Sequence, residues 1–138
     1  DRRQRQMCIR DRLVHGSPRK NNEDILPDTP LSEVEKMLEN VEADVVLCGH
    51  THIPCGFQTE SRKTVVNAGS IGRTFFVEPN SYPKACYLII EVDNGSCVFQ
   101  HQFVEYDKEQ ASEKLAAREF EGADKLAGML INPEIRHF

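Results

Sequence analysis

The stretch Val45-Val46-Leu47-Cys48-Gly49-His50-Thr51-His52 limits the fold more than any other part of the chain. An unbroken apolar run stops at a glycine, and two histidines follow at once. Apolar residues without polar alternation are the pattern of a strand covered on both faces, as in a parallel sheet. Open α/β sheets gather ligands at the carboxyl ends of such strands. His50 and His52 stand two apart, so in an extended chain both imidazoles point to the same side, toward neighbouring metal ions or one phosphate. Gly49 keeps the approach uncrowded.

A second strand end precedes it. Leu13-Val14-His15-Gly16-Ser17-Pro18 runs from apolar residues into a turn, and His15 occupies the place that His50 has on its own strand. Parallel neighbours end at one sheet edge, which makes His15 a candidate third metal ligand. Arg19 follows as a candidate phosphate contact. Between the two strand ends the sequence predicts a helix. Thr29 can cap it, Pro30 suits its first turn, and Glu33 and Glu35 suit the positive end of its dipole. Leu31, Val34, Met37, Leu38 and Val41 fall on one stripe. Strand, helix and strand form a βαβ unit whose crossover should be right-handed.

Beyond His52, Phe57 to Glu60 and Lys63 to Val66 read as a hairpin bent at Ser61-Arg62. Asn67-Ala68-Gly69-Ser70 leaves it as a small-residue loop whose backbone amides could approach an anion, so Asn67 is a candidate substrate contact. Arg73 is another. Ala85 to Val92 and Cys97 to Tyr106 form a second hairpin through Asn94-Gly95, the dipeptide of a type I′ turn. His101 shares its parity with Phe99 and Phe103 and reads as a packed or edge residue. Residues from Lys108 onward suggest one helix, and those around Leu126 to Leu130 a shorter one.

The 138 residues suit one domain, and a net charge of -5 argues against a general nucleic-acid-coating role. No apolar run approaches membrane-spanning length and no signal peptide is recognisable, so no membrane partner is expected. The five cysteines are scattered and odd in number, which favours reduced thiols and a cytoplasmic location. Residues 1–12 carry five arginines and no period of either kind. They read as foreign or disordered sequence, and the domain is expected to begin at residue 13.

His15-Gly16-Ser17-Pro18, Gly49-His50-Thr51-His52 and Asn67-Ala68-Gly69-Ser70, in that order and spacing, resemble the C-terminal half of calcineurin-like metallophosphoesterases, and more closely their small prokaryotic phosphodiesterase branch. The resemblance implies an α/β fold: part of a four-layer αββα sandwich with mixed sheets, its N-terminal half missing. Residues 13–107 would be that C-terminal half and 108–138 a helical tail. It makes His52 a ligand of one metal and His15 and His50 ligands of a second, the pair of divalent ions being Mn, Ni, Fe or Zn. Arg19, Asn67 and Arg73 would face a small phosphodiester or nucleotide, hydrolysed by a metal-activated hydroxide. Ala68 replaces the family's usual proline, which implies a local change in loop stiffness.

The family's Asp-x-His, its Gly-Asp with the bridging carboxylate, and its Gly-Asn-His-Asp/Glu do not occur in this sequence. Three neutral histidines leave the charge of two dications unbalanced, so the intact protein is expected to be the enzyme and this chain alone to be inactive. Two other readings follow from the same residues. One is a non-catalytic interaction scaffold on this fold, as in the retromer subunit that shares it. The other is a structural zinc site formed by Cys48, His50, His52 and Cys55.

Overall fold

The structure, a computed structural model, describes residues 9–75 and 84–133. The expected strand, helix and strand are present as β1 (Asp11–Leu13), α1 (Leu31–Met37) and β2 (Val45–Cys48). They are followed by β3 (Cys55–Gln58), β4 (Thr64–Asn67), β5 (Ala85–Asp93), β6 (Ser96–Val104), α2 (Lys108–Ala116) and α3 (Ala123–Ile131). Four strands form a mixed sheet in the order β1-β2-β4-β3, parallel throughout except for β3 against β4. The second sheet is the antiparallel β5-β6 hairpin. This mixed α/β architecture with two sheets is the one expected.

Burial explains the arrangement. Val46, Cys48 and Val65 share a core with Val34, Met37, Leu38 and Val41 from α1 and the residues behind it, and Ile25 closes it from the loop. Val34 and Val46 are wholly excluded from solvent, and burial on that scale contributes roughly 1.5–3 kcal/mol per side chain. Val45 and Leu47 have the opposite parity, and they line a cleft with Ile90, Val92 and Cys97 of the hairpin. The mixed sheet therefore lies between α1 and β5-β6. Asn94 and Gly95 both take positive φ, as a type I′ turn requires. Helices α2 and α3 pack on each other, with Ser112 Oγ donating to Ala127 O at 2.8 Å.

Three local expectations change. Thr29 does not cap α1; its hydroxyl accepts from Leu26 N at 2.9 Å, and Pro30 stands at the cap position. Leu31, the first residue of the helix, is exposed. The first strand starts before residue 13. Asp11 and Arg12 pair with Val45 and Val46, and Arg10 O accepts from Asp44 N and Val45 N. Charged, solvent-facing residues suit an edge strand but carry no hydrophobic period, so sequence reading set them aside. The rest of that segment, residues 1–8, lies outside the described residues. Among the described residues no helix is long and apolar enough to cross a membrane.

Candidate functional site

The parallel ladder sets the site. Beyond β1 the pairing continues, with Val14 N donating to Leu47 O and Gly49 N to His15 O, both at 2.9 Å. Two strand ends are thus held side by side, and their histidines meet. His50 Nδ1 lies 3.0 Å from His15 Nε2, with the rings edge-on and their centroids 4.9 Å apart. Two nitrogens bound to one ion at about 2.0–2.1 Å stand roughly 3 Å from each other. The separation of the pair matches that of two nitrogens on one ion, and in the metal-free protein it is spanned by a hydrogen bond between the rings. His15 is exposed and His50 half-buried, so solvent reaches both.

His52 does not complete a trio. The strand ends at Cys48, and both His50 and His52 take left-handed conformations, with φ of 67° and 63°. The alternation that would aim both rings to one side applies to extended chain and fails here. The His52 ring instead lies against Phe75, centroid to centroid 5.7 Å, and the Arg73 guanidinium stands 5.4 Å over that same phenyl ring. Among the described residues no three His, Cys, Asp or Glu side chains come together in a metal-binding group.

Left-handed φ at a β-substituted residue costs on the order of 1 kcal/mol and persists only where the surroundings enforce it. Asn67, wholly buried at the end of β4, does so. Its Nδ2 donates to Gly49 O at 2.8 Å and to Thr51 Oγ1 at 2.9 Å, and its Oδ1 accepts from Gly69 N at 3.0 Å. Its backbone O meets His101 Nε2 at 2.7 Å, which leaves His101 a packed residue as expected. Asn67 was a candidate substrate contact. Its carboxamide is enclosed and bonded within the protein, where it shapes the histidine loop. The loop amides are committed as well, since Ala68 N donates to Cys48 O at 3.0 Å. A proline at residue 68 could not make that bond, so alanine changes hydrogen bonding as well as stiffness.

The loop that follows His15 is held by charge. Gly16 lies so close to the returning chain that a Cβ there would stand 2.5 Å from Asn21 O. Ser17 is buried; its hydroxyl donates to Glu23 and accepts from the amides of Arg19 and Lys20. Arg19 grips Glu23 at 2.5 Å and Glu33 at 2.7 Å. The Arg19 guanidinium, chiefly by hydrogen bonding, holds the Glu23 carboxyl below its ordinary range, with Ser17 adding to the effect. Glu23 and Glu33 in turn hold the guanidinium charged. Arg19 is therefore occupied by carboxylates where a phosphate contact was expected. Arg73 is exposed, and its Nη2 touches Met129 Sδ of α3 at 3.7 Å.

The zinc alternative fails on its sulfur ligands. Cys48 is buried in the core beneath α1 and Cys55 Sγ lies 3.7 Å from Ile25 O. Burial pushes the two thiols up to about 12 and about 11, and among the described residues they do not come together with His50 and His52 in one group. Sequence reading also missed Asp24, whose Oδ1 stands 3.4 Å from His50 Nε2. No spacing rule marks a carboxylate in an irregular loop. Thr51, buried within the histidine loop, and Phe75, buried against it, carry no such mark either.

Comparison with known proteins gives a consistent picture. Residues 10–95 match the model of the calcineurin-like phosphoesterase superfamily domain. A crystal structure of a hypothetical protein from Pyrococcus horikoshii OT3 superposes with a TM-score of 0.69 at 27% identity, over 86% of this chain and 46% of that one. A metallophosphoesterase from Sphaerobacter thermophilus superposes with a TM-score of 0.65 over 90% of this chain and 55% of that one; at 20% identity it shows the fold alone. The chain thus spans about half the length of the solved structures it matches. No curated protein matches the sequence.

Proposed function

The chain belongs to the calcineurin-like phosphoesterase superfamily, and from that premise we propose that it supplies the histidine side of a metal-dependent phosphodiesterase site. The observation that carries this reading is the 3.0 Å approach of His15 Nε2 and His50 Nδ1 at adjacent parallel strand ends. These two would hold one divalent cation, and His52 would contribute to a second. Imidazole suits Mn, Fe, Ni or Zn alike. When bound, such ions supply Lewis-acid stabilisation of phosphoryl charge and acidify water.

The chain's own residues do the positioning. Asn67 and Thr51 hold the backbone of the histidine loop, and Gly16 and Ser17 fold the neighbouring loop so that His15 meets His50. Arg73, exposed beside the Phe75 ring that His52 touches, is the cation placed to orient an anionic substrate such as a small phosphodiester or nucleotide. Three neutral imidazoles do not balance two dications, so turnover needs carboxylate ligands in addition to them. A cytoplasmic enzyme is consistent with free Cys48, Cys55, Cys86 and Cys97.

The test is hydrolysis of a chromogenic phosphodiester with added Mn by the intact protein. His15→Ala, His50→Ala and His52→Ala should each abolish it, and this chain alone should show none. A folded, metal-loaded intact protein with no activity on any of a broad set of phosphate esters would overturn the reading.

A further inference from the structure

His50 is addressed at both ring nitrogens by one loop. Residue 15 at its start places Nε2 3.0 Å from His50 Nδ1, and residue 24 at its end places a carboxylate oxygen 3.4 Å from His50 Nε2. Between them the Ser17, Arg19 and Glu23 network and the close packing of Gly16 under Asn21 fold the loop back on itself. The arrangement bears on which nitrogen carries the proton. Neutral imidazole has one donor and one acceptor nitrogen, and the contact between two such rings can form either way round. His15 Nε2–H can donate to His50 Nδ1, or His50 Nδ1–H can donate to His15 Nε2. A carboxylate facing His50 Nε2 accepts only from an N–H, so it breaks that symmetry.

We propose that Asp24 is a positioning residue that holds the proton on His50 Nε2 and so leaves the Nδ1 lone pair aimed into the site as the metal-binding atom. This rests on the reading of His15 and His50 as ligands, but its first consequence concerns the metal-free protein. His50 should be the Nε2–H tautomer, with His15 Nε2–H as the donor between the rings. Outer-shell carboxylates of this kind affect metal affinity by about 10- to 100-fold when removed. Asp24 is exposed enough for its replacement to leave the fold intact.

The experiment is long-range proton–nitrogen NMR on the histidine rings of the metal-free chain, wild type against Asp24→Ala and Asp24→Asn, followed by titration of each with Co or Zn alone. The expected result is an Nε2–H His50 in wild type and in Asp24→Asn, whose amide oxygen still accepts. A mixture of tautomers is expected in Asp24→Ala, together with a 10- to 100-fold weaker metal affinity. The same His50 tautomer in all three proteins, or an Nδ1–H His50 in wild type, would overturn the inference. A tautomer shift with unchanged affinity would overturn the role in metal binding. Failure of the function reading looks different: wild type would then bind metal no more tightly than His50→Ala, whatever the tautomers show.

Discussion

The loops after β1 and β2 each carry a histidine from a parallel strand end to one shared point, yet they are held by opposite means. Residues 49–53 are fixed by neutral groups: a buried carboxamide, a buried threonine hydroxyl and backbone amides. Residues 15–24 are fixed by ions: Arg19 between Glu23 and Glu33, with Ser17 beneath them. Neutral bonds in a dry setting do not respond to pH or salt, whereas ion pairs near the surface respond to both. The β2 loop should therefore be the fixed half of the site and the β1 loop the adjustable half. That division fits their burial, since Asn67 and Thr51 are wholly enclosed while Arg19 is exposed.

The comparison breaks first at Asn67. Asn67→Ala removes a hydrogen bond from Gly49 O and from Thr51 Oγ1, which keep Thr51 N and Ile53 N, at about 1 kcal/mol each, and leaves Gly69 N unsatisfied at about 1–3 kcal/mol. Urea denaturation should show a loss of about 3 kcal/mol or more, and amide exchange should rise across residues 49–53. Gly16→Ala tests the other loop by sterics, since the new methyl meets backbone at 2.5 Å. A loss of about 1–3 kcal/mol is expected, with faster exchange confined to residues 15–24.

Glu23→Gln is a smaller change, about 1 kcal/mol near neutral pH, and it tests the charge itself. The folded Glu23 carboxyl lies below its usual 4.5, so its stabilisation is fully present above that pH and is lost as pH falls through the lowered folded value. The stability difference between wild type and Glu23→Gln should stay level above about pH 5 and shrink toward zero in acid. The same comparison with Asn67→Ala should show no such slope. The smallest effect on stability belongs to Arg73→Ala, within about 0.5 kcal/mol by thermal melting, because the side chain is exposed. If Arg73 orients the substrate, its loss raises KM in the intact enzyme while leaving the melt unchanged.

Much of this was legible in the residues. The apolar run at Val45–Cys48, the stripe through Val34 and Met37, and Asn94-Gly95 each report a local rule that tertiary packing respects. The meeting of His15 and His50 followed from topology alone, since a βαβ unit brings two strand ends together. What sequence could not show was the path of the chain beyond the strand. The left-handed turns at His50 and His52 are held by Asn67 from another strand, and no local propensity encodes them, so the extended-chain alternation does not describe these two residues. Arg19 and Asn67, both bonded within the protein, show a related limit. A polar residue near a site can serve the substrate or the scaffold, and only the partners around it decide between the two.

The central claim is that His15 and His50 form one cation site, and calorimetric titration of the chain with Zn tests it most directly. His15→Ala, His50→Ala and the double variant should lose the same binding event to the same extent, because removing either nitrogen dismantles the pair. His52→Ala should leave that event in place. Equal, additive losses from all three histidines, or a site that survives without His15, would contradict the account.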